Sequence, residues 1–324
     1  MTSAPRRALL AAPFVLAAGS ALGQGGGFPA RSVTIVVPYA AGGPTDVITR
    51  LVAEGMTKDL GVAVVAENVT GAGGTLGAYR VAQARPDGHT LLMHHIGHAT
   101  HATIYRRLPY DVEASFAPLG LVSDAAMTLI ARPDFPADDL AGLMALIRER
   151  GERLNLAHSG GANHLCGLLM QSAAGVEMTP VVFRGSAPAI TEIMAGRVDM
   201  MCDQATNTVP YIRDRRIKAY AMTLDRRAAG LDLPTTAELG QPGIVMSTWH
   251  ALYAPAGTPE EVQIRLNRSL RAALAEEKLR ARFAELVTEV ARPEQVERDF
   301  HRRHLAAEVA RWRPIIQAAN AYAD

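Results

Sequence analysis

The 324-residue chain has few aromatic residues (5%), only two cysteines and a formal net charge of just +1. Each shortage excludes something. A near-neutral chain carries no electrostatic footprint for nucleic acid. An apolar content of 48% with so few aromatics points to Ala, Val and Leu packing rather than an aromatic-lined cavity. After residue 22 no stretch is apolar for long enough to form a transmembrane helix. Catalytic signatures are also missing: there is no G-x-S-x-G elbow, no H-E-x-x-H and no close pair of carboxylates after a strand. The run Gly71-Ala72-Gly73-Gly74-Thr75-Leu76-Gly77 fails the dinucleotide fingerprint because Leu76 stands where the last glycine belongs, and no phosphate-binding G-x-x-x-x-G-K-[ST] occurs. No cofactor is expected.

What is present begins at the amino terminus. Arg6 and Arg7 precede an apolar stretch, Ala8 to Leu22, too short and Ala-rich to span a bilayer, closed by the small residues around Gly23. A basic start, apolar middle and small-residue end read as a cleaved leader over residues 1–23, and so as export. The paired arginines leave the Sec and twin-arginine routes both open. Without Arg6 and Arg7 the charge becomes −1, because the leader holds no acidic residue. Roughly 300 mature residues favour two domains over one core. In an exported chain Cys166 and Cys202 read equally as a disulfide or as two small buried thiols.

Along the chain, short β-branched runs alternate with glycine loops and helical stretches. Val33–Val37 reads as a buried strand, followed by the glycines at 42 and 43 and a helix. Strands over 62–66 and 90–93 repeat the pattern, with loops at 71–77 and 94–98 and helices over 78–84 and 102–107. A second set covers a helix at 140–150, strand 154–157, loop 159–163 and helix 164–174. Strands at 181–183, 198–202 and 218–223 alternate with helices at 187–195 and 209–214. Residues 119–122 and 127–131 read as strands on either side of Ser123-Asp124. Thr258, Pro259 and Glu261 predict a capping box before a helix whose Val262, Leu266, Leu270 and Leu274 form one apolar stripe. A last helix spans 293–319, docked by Phe300, Val309, Trp312 and Ile316. Strand, glycine loop and helix in repetition predict a parallel α/β sheet. No low-complexity linker separates the halves, so the chain should cross between lobes and return, as in a hinge: lobe 1 over 28–123 and 222–324, lobe 2 over 124–221.

The loops after strands are where open α/β sheets bind ligands, because free N–H groups and the helix dipole attract anions there. Tyr39, Ala41, Gly42, Gly43 and Thr45 form one candidate, with Ser159, Gly161, Ala162, Asn163 and His164 facing it from the other lobe. Glycines that merely permit tight turns are the bland alternative. Asp203 and Gln204 follow a strand and can reach the cleft; Asp46 reads as a capping acid. Arg184 reads as a surface ion pair or a carboxylate partner. His95, His98 and His101 are spaced by three, as on one helix face, yet Gly97 interrupts them and no acid or cysteine lies beside them. Polar lining is expected there, and no metal.

Six segments, in order, resemble the substrate-binding proteins of tripartite tricarboxylate transporters, the Bug type. They are VPYAAGGPTDVITR, GAGGTLGA with ARPDGHTLL, RRLPYDVEASFAPLGLV, RGSAPAITEIMAGRVDMMCDQ, LPTTAELG and WHALYAPAGTPEEV. The resemblance covers the chain from Val33 onward. It implies a two-lobed α/β periplasmic binding protein, a Venus flytrap of type II character, holding a carboxylic acid through backbone N–H groups and water at the loops matching 40–45 and 159–164. By the same matching Gly73, Gly74, Thr75, the loop with His94, His95 and His98, and Asp203 line the cleft. Many members carry small or hydroxyl residues where this chain has His94-His95-Ile96-Gly97-His98, and Ser-His where it has Asn163-His164. The implied role is a monomeric periplasmic receptor for a small carboxylate, serving a polytopic permease with a small membrane subunit. A sensing module for a membrane kinase and a periplasmic hydrolase are the rival readings.

Overall fold

A computed structural model describes residues 27–323; the expected leader, 1–23, lies outside them. The first half contains β1 (Val33–Val37), α1 (Pro44–Leu60), β2 (Val64–Asn68), α2 (Thr75–Ala82), β3 (Thr90–His95) and α3 (Gly97–Ile104). Then come β4 (Phe116–Ala131), α4 (Leu140–Arg150), β5 (Asn155–His158), α5 (Gly161–Ala174), β6 (Thr179–Val182), α6 (Ser186–Met194), β7 (Met200–Gln204), α7 (Ala205–Arg213) and β8 (Lys218–Met222). The chain ends with β9 (Ser247–Pro255), α8 (Glu260–Ala275), α9 (Glu277–Glu285), β10 (Thr288–Val290) and α10 (Arg298–Ala318).

The strands form one mixed sheet in the order β2-β1-β3-β9-β4-β7-β5-β6, with β8 and β10 also paired to β4. Its two ends are parallel, β2-β1-β3 and β7-β5-β6, as short β-branched runs between helices require. The centre is antiparallel, and β4 joins the ends. Phe116–Ala126 pair with β9, whereas Met127–Ala131 pair with β7 and β8. The break expected at Ser123-Asp124 is absent; β4 is one 16-residue strand that accommodates its bend through register shifts at 118–120 and 121–123.

Other boundaries also move. The helix expected at 102–107 begins at Gly97, because His95 Nδ1 accepts the Gly97 N–H at 2.9 Å and closes the turn within one residue. Helix α5 starts at Gly161 rather than 164, since Gly160 and Gly161 both adopt left-handed φ (80° and 52°) and turn the chain at once. The capping box fails: Thr258 Oγ1 donates back to Pro255 O at 2.8 Å, so Pro259 becomes the N-cap. The stripe Val262, Leu266, Leu270 and Leu274 is buried as expected. It belongs to a helix so close to α1 that a Cβ on Gly55 would lie 2.7 Å from Ala273 Cβ. On α10, Val309, Trp312 and Ile316 are buried and Phe300 is half-buried.

Cys166 on α5 and Cys202 on β7 form a disulfide, both fully buried. It closes a separation of 36 residues, for which the loop-entropy model gives about 4 kcal/mol of stabilisation. Urea unfolding of a Cys166→Ala/Cys202→Ala protein should show a loss of about 3–4 kcal/mol. A loss below about 1 kcal/mol would contradict constraint of the unfolded chain as the source of stability.

Candidate ligand-binding cleft

Four helices point their amino termini at one narrow cavity of ≈ 80 Å³. Their N-caps are Gly43 (α1), Gly160 (α5), Gly185 (α6) and Gln204 (α7), and none makes a side-chain cap hydrogen bond. Serine or aspartate caps would have occupied the first-turn N–H groups; the three glycines leave them available, and the Gln204 side chain does not cap α7 either. The macrodipoles add partial positive charge at the same place. The cavity is lined by Tyr39, Ala40, Ala41, Pro44, Thr45 and His95 on one side, with Ser159, Asn163, Ser186, Ala187 and Pro188 on the other. Among the described residues, no lysine, arginine, aspartate or glutamate lines it. Such a site attracts an anion through oriented dipoles alone.

The facing walls nearly touch. A Cβ on Gly161 would meet His95 Cε1 at 2.5 Å and the Tyr39 hydroxyl at 3.1 Å, and one on Gly185 would meet Ala40 Cβ at 3.2 Å. The Tyr39 and His95 rings stack, with centroids 4.4 Å apart. Because His95 Nδ1 accepts the Gly97 N–H, the neutral ring carries its proton on Nε2. Burial holds the imidazole well below its ordinary pKa, helped by neighbouring His250. His95 therefore offers an uncharged N–H donor.

A hydrogen-bonded chain holds the opposite wall. Ser159 Oγ donates to Asn163 Oδ1 at 2.7 Å, and Asn163 Nδ2 donates to Asp203 Oδ1 at 2.6 Å. Ser186 Oγ (3.1 Å) and the Gln204 N–H (2.8 Å) reach the same carboxylate oxygen, and Asn207 Nδ2 reaches Oδ2 at 2.7 Å. Asp203 is fully buried, and burial raises its pKa against the lowering effect of these donors. One carboxylate thus ties together the first turns of α5, α6 and α7.

The residues singled out from the sequence separate accordingly. Tyr39, Ala41, Gly43, Thr45, His95, Ser159, Asn163 and Gln204 line the cavity. Gly161 and Ala162 form the first turn of α5 against it, and Gly42 donates its N–H to Asp46, whose carboxylate also binds Arg50 and Asn68. Asp203 lies beneath the surface rather than in it. Gly73 and Gly74 support Tyr39 from behind, and the Thr75 hydroxyl donates to Ala72 O at 3.0 Å. His94 and His98 are fully buried and do not line the cavity; the His94 ring stands edge-on to that of His95, with centroids 5.3 Å apart. His164 stacks on His158 and lines a second cavity, between α5 and the end of α10. Gly185 to Pro188 were missed as lining. The glycine and serine after β6 were the signal, but Arg184, the residue considered there, is exposed.

No described helix is long and apolar enough to cross a membrane. Residues 48–321 match the family model described as the tripartite tricarboxylate transporter family receptor. The periplasmic binding protein BugD is 40% identical, with a TM-score of 0.87 over 91% of this chain and 99% of that one. MatC of Rhodopseudomonas palustris, solved with bound malate, is 38% identical, with a TM-score of 0.86 over 89% and 100%. A further R. palustris protein, solved with adipate, is 31% identical, with a TM-score of 0.85 over 91% and 99%. The family model spans most of the chain, and the chain belongs to the tripartite tricarboxylate transporter receptor family, a family of solute-binding receptors and not of enzymes.

Proposed function

We propose that this protein is a periplasmic receptor for a small dicarboxylate, which it delivers to a tripartite tricarboxylate-type permease made of a polytopic subunit and a small membrane subunit. The observation that carries the reading is the set of four uncapped helix amino termini around a cavity free of charged side chains. The α1 terminus stands on one wall, and those of α5, α6 and α7 on the other, so each can hold one carboxylate of a short diacid. The malate and adipate bound by two relatives support a diacid. Lobe 1 takes 28–123 and 222–324 and lobe 2 takes 124–221. Closure joins the two anion-binding walls, and only a ligand touching both favours it. The leader over residues 1–23 directs export, and the receptor works as a monomer.

A thermal-shift panel of mono-, di- and tricarboxylates tests this. A C4–C6 diacid at about 100-fold over its dissociation constant should stabilise the fold by roughly 2.7 kcal/mol. Stabilisation by a sugar or an organic cation, with none from any carboxylate, would refute the reading.

A further inference from the structure

Behind the cleft, on the other side of the Tyr39 and His95 rings, three histidines meet without solvent. His94 is the penultimate residue of β3, and His98 and His101 lie one turn apart on α3. All three are at most 2% exposed. The sequence pattern suggested His95, His98 and His101 as the aligned set. The structure instead sets His95 in the cavity lining and His94, edge-on to it at 5.3 Å, against the rings of His98 and His101 on α3. One nitrogen from each of His94, His98 and His101 lies within 4.8 Å of the other two. The His94 ring centroid is 5.0 Å from each of the others.

Two of those rings hold a nitrogen with nothing to bond. His98 Nε2 lies 3.0 Å from Val112 O, and a carbonyl only accepts, so Nε2 carries the proton and Nδ1 presents a bare lone pair. That Nδ1 is buried and unpartnered, and so is His94 Nε2. A buried polar atom without a partner costs about 1–3 kcal/mol, so two in one cluster point to a missing occupant. His94 Nδ1 accepts the His95 N–H at 2.9 Å and also lies 3.1 Å from His95 O, so ligation through Nε2 requires the tautomer in which Nδ1 donates to that carbonyl. His101 Nε2 sits 3.3 Å from Gly73 O while its Nδ1 meets the Tyr110 hydroxyl at 2.7 Å. Backbone carbonyls on the far ring nitrogen are the outer-shell partners that orient metal-binding imidazoles.

We propose that His94, His98 and His101 form a binding site for one borderline transition-metal dication of the zinc class, separate from the carboxylate cleft. Three neutral imidazoles without thiolate or carboxylate suit Zn²⁺, Co²⁺, Ni²⁺ or Cu²⁺ rather than Mg²⁺ or Ca²⁺. Tetrahedral ligation at about 2.1 Å requires nitrogens roughly 3.4 Å apart, so the rings draw inward on binding. His101 gives up either its 3.3 Å contact to Gly73 O or its 2.7 Å contact to the Tyr110 hydroxyl in doing so. Gly73 belongs to the loop beneath Tyr39, whose hydroxyl lies 3.3 Å from Gly73 O. A loaded site places positive charge behind the cleft.

The test uses the untagged mature chain, freed of metal with EDTA. Titration with Co²⁺ should give one equivalent of binding, with the intense visible absorption of a low-coordinate nitrogen site, displaced by Zn²⁺. His98→Asn and, separately, His94→Asn should each weaken binding at least tenfold while a His158→Asn/His164→Asn protein, which removes the other stacked histidine pair, binds as before. Either single variant that melts as a folded protein suffices for the comparison. Absence of a Co²⁺ spectrum and of Zn²⁺-induced stabilisation in the wild type would overturn the proposal, leaving a buried water as the occupant. Binding that persists in the His94 and His98 variants but disappears with His158 and His164 would overturn it equally. These readouts contain no carboxylate, so they stand or fall apart from the proposed transport role.

Discussion

Replacing Gly161 with leucine is expected to weaken dicarboxylate binding by at least about a hundredfold, or about 2.7 kcal/mol, as read by calorimetry. Gly161 has φ of 52°, and any Cβ there would stand 2.5 Å from His95 Cε1 and 3.1 Å from His95 Nε2. The side chain would therefore strike the cleft wall that supplies an N–H donor, and would tilt the first turn of α5 away from the ligand. Strain at a left-handed position adds roughly 1–2 kcal/mol of destabilisation. Gly175, at the other end of the same helix, separates the two effects. Its φ is 74°, and a Cβ added there would have nothing within 4 Å, so Gly175→Ala should lower stability by a similar strain term and leave affinity unchanged. Equal affinities for wild type and Gly161→Leu would remove α5 from the binding site.

The second large effect is on pH. His250 and His301 are fully buried, and burial is the main cause that lowers both, His250 to about 3 and His301 well below 6.5. The unfolded chain titrates these groups near their ordinary value of about 6.5. Between that value and the folded one, the unfolded state binds protons that the native state does not, so stability falls as pH falls below about 6.5. Each such histidine costs up to about 1.4 kcal/mol per pH unit, or roughly 2 kcal/mol by pH 5. In metal-free protein His98 and His101 act in the same direction. Asp124 opposes them: burial raises its carboxyl to about 6, so the native state retains a proton that the unfolded state releases, and acid stabilises through that group. The histidines outnumber it. Urea titrations in EDTA at pH 7, 6 and 5 should show a progressive loss of several kcal/mol, reduced in His250→Asn relative to its own value at pH 7. Stability that is flat or rises toward pH 5 would contradict neutral burial of these rings.

Much of the site was legible because its chemistry is local. A glycine directly after a β-branched run and before a helical stretch leaves unoccupied N–H groups whatever the rest of the fold does. Gly43 and Ser159, in the cavity lining, are legible on that basis, and Gln204 is legible only as a residue that follows a strand. Ser186 is less legible because Arg184, the charged residue beside it, is exposed while the glycine and serine that follow line the cavity. Asp203 was expected in the cleft since it ends a strand; its place beneath is set by Asn163, Ser186 and Asn207, which come from three helices.

Local order thus settled the alternation of strand, glycine loop and helix, and with it the anion-attracting character of a cleft without basic side chains. The tertiary structure decided what depends on distant partners. It made β4 one strand, since β9 and β7 hydrogen-bond its two ends and bridge Ser123-Asp124. It joined Cys166 to Cys202, whose pairing depends on α5 packing against β7. It divided the histidines, setting His95 in the cavity lining beside Tyr39 and His94 beside His98 and His101, because the packing of β3 against α3 places each ring, and spacing by three does not.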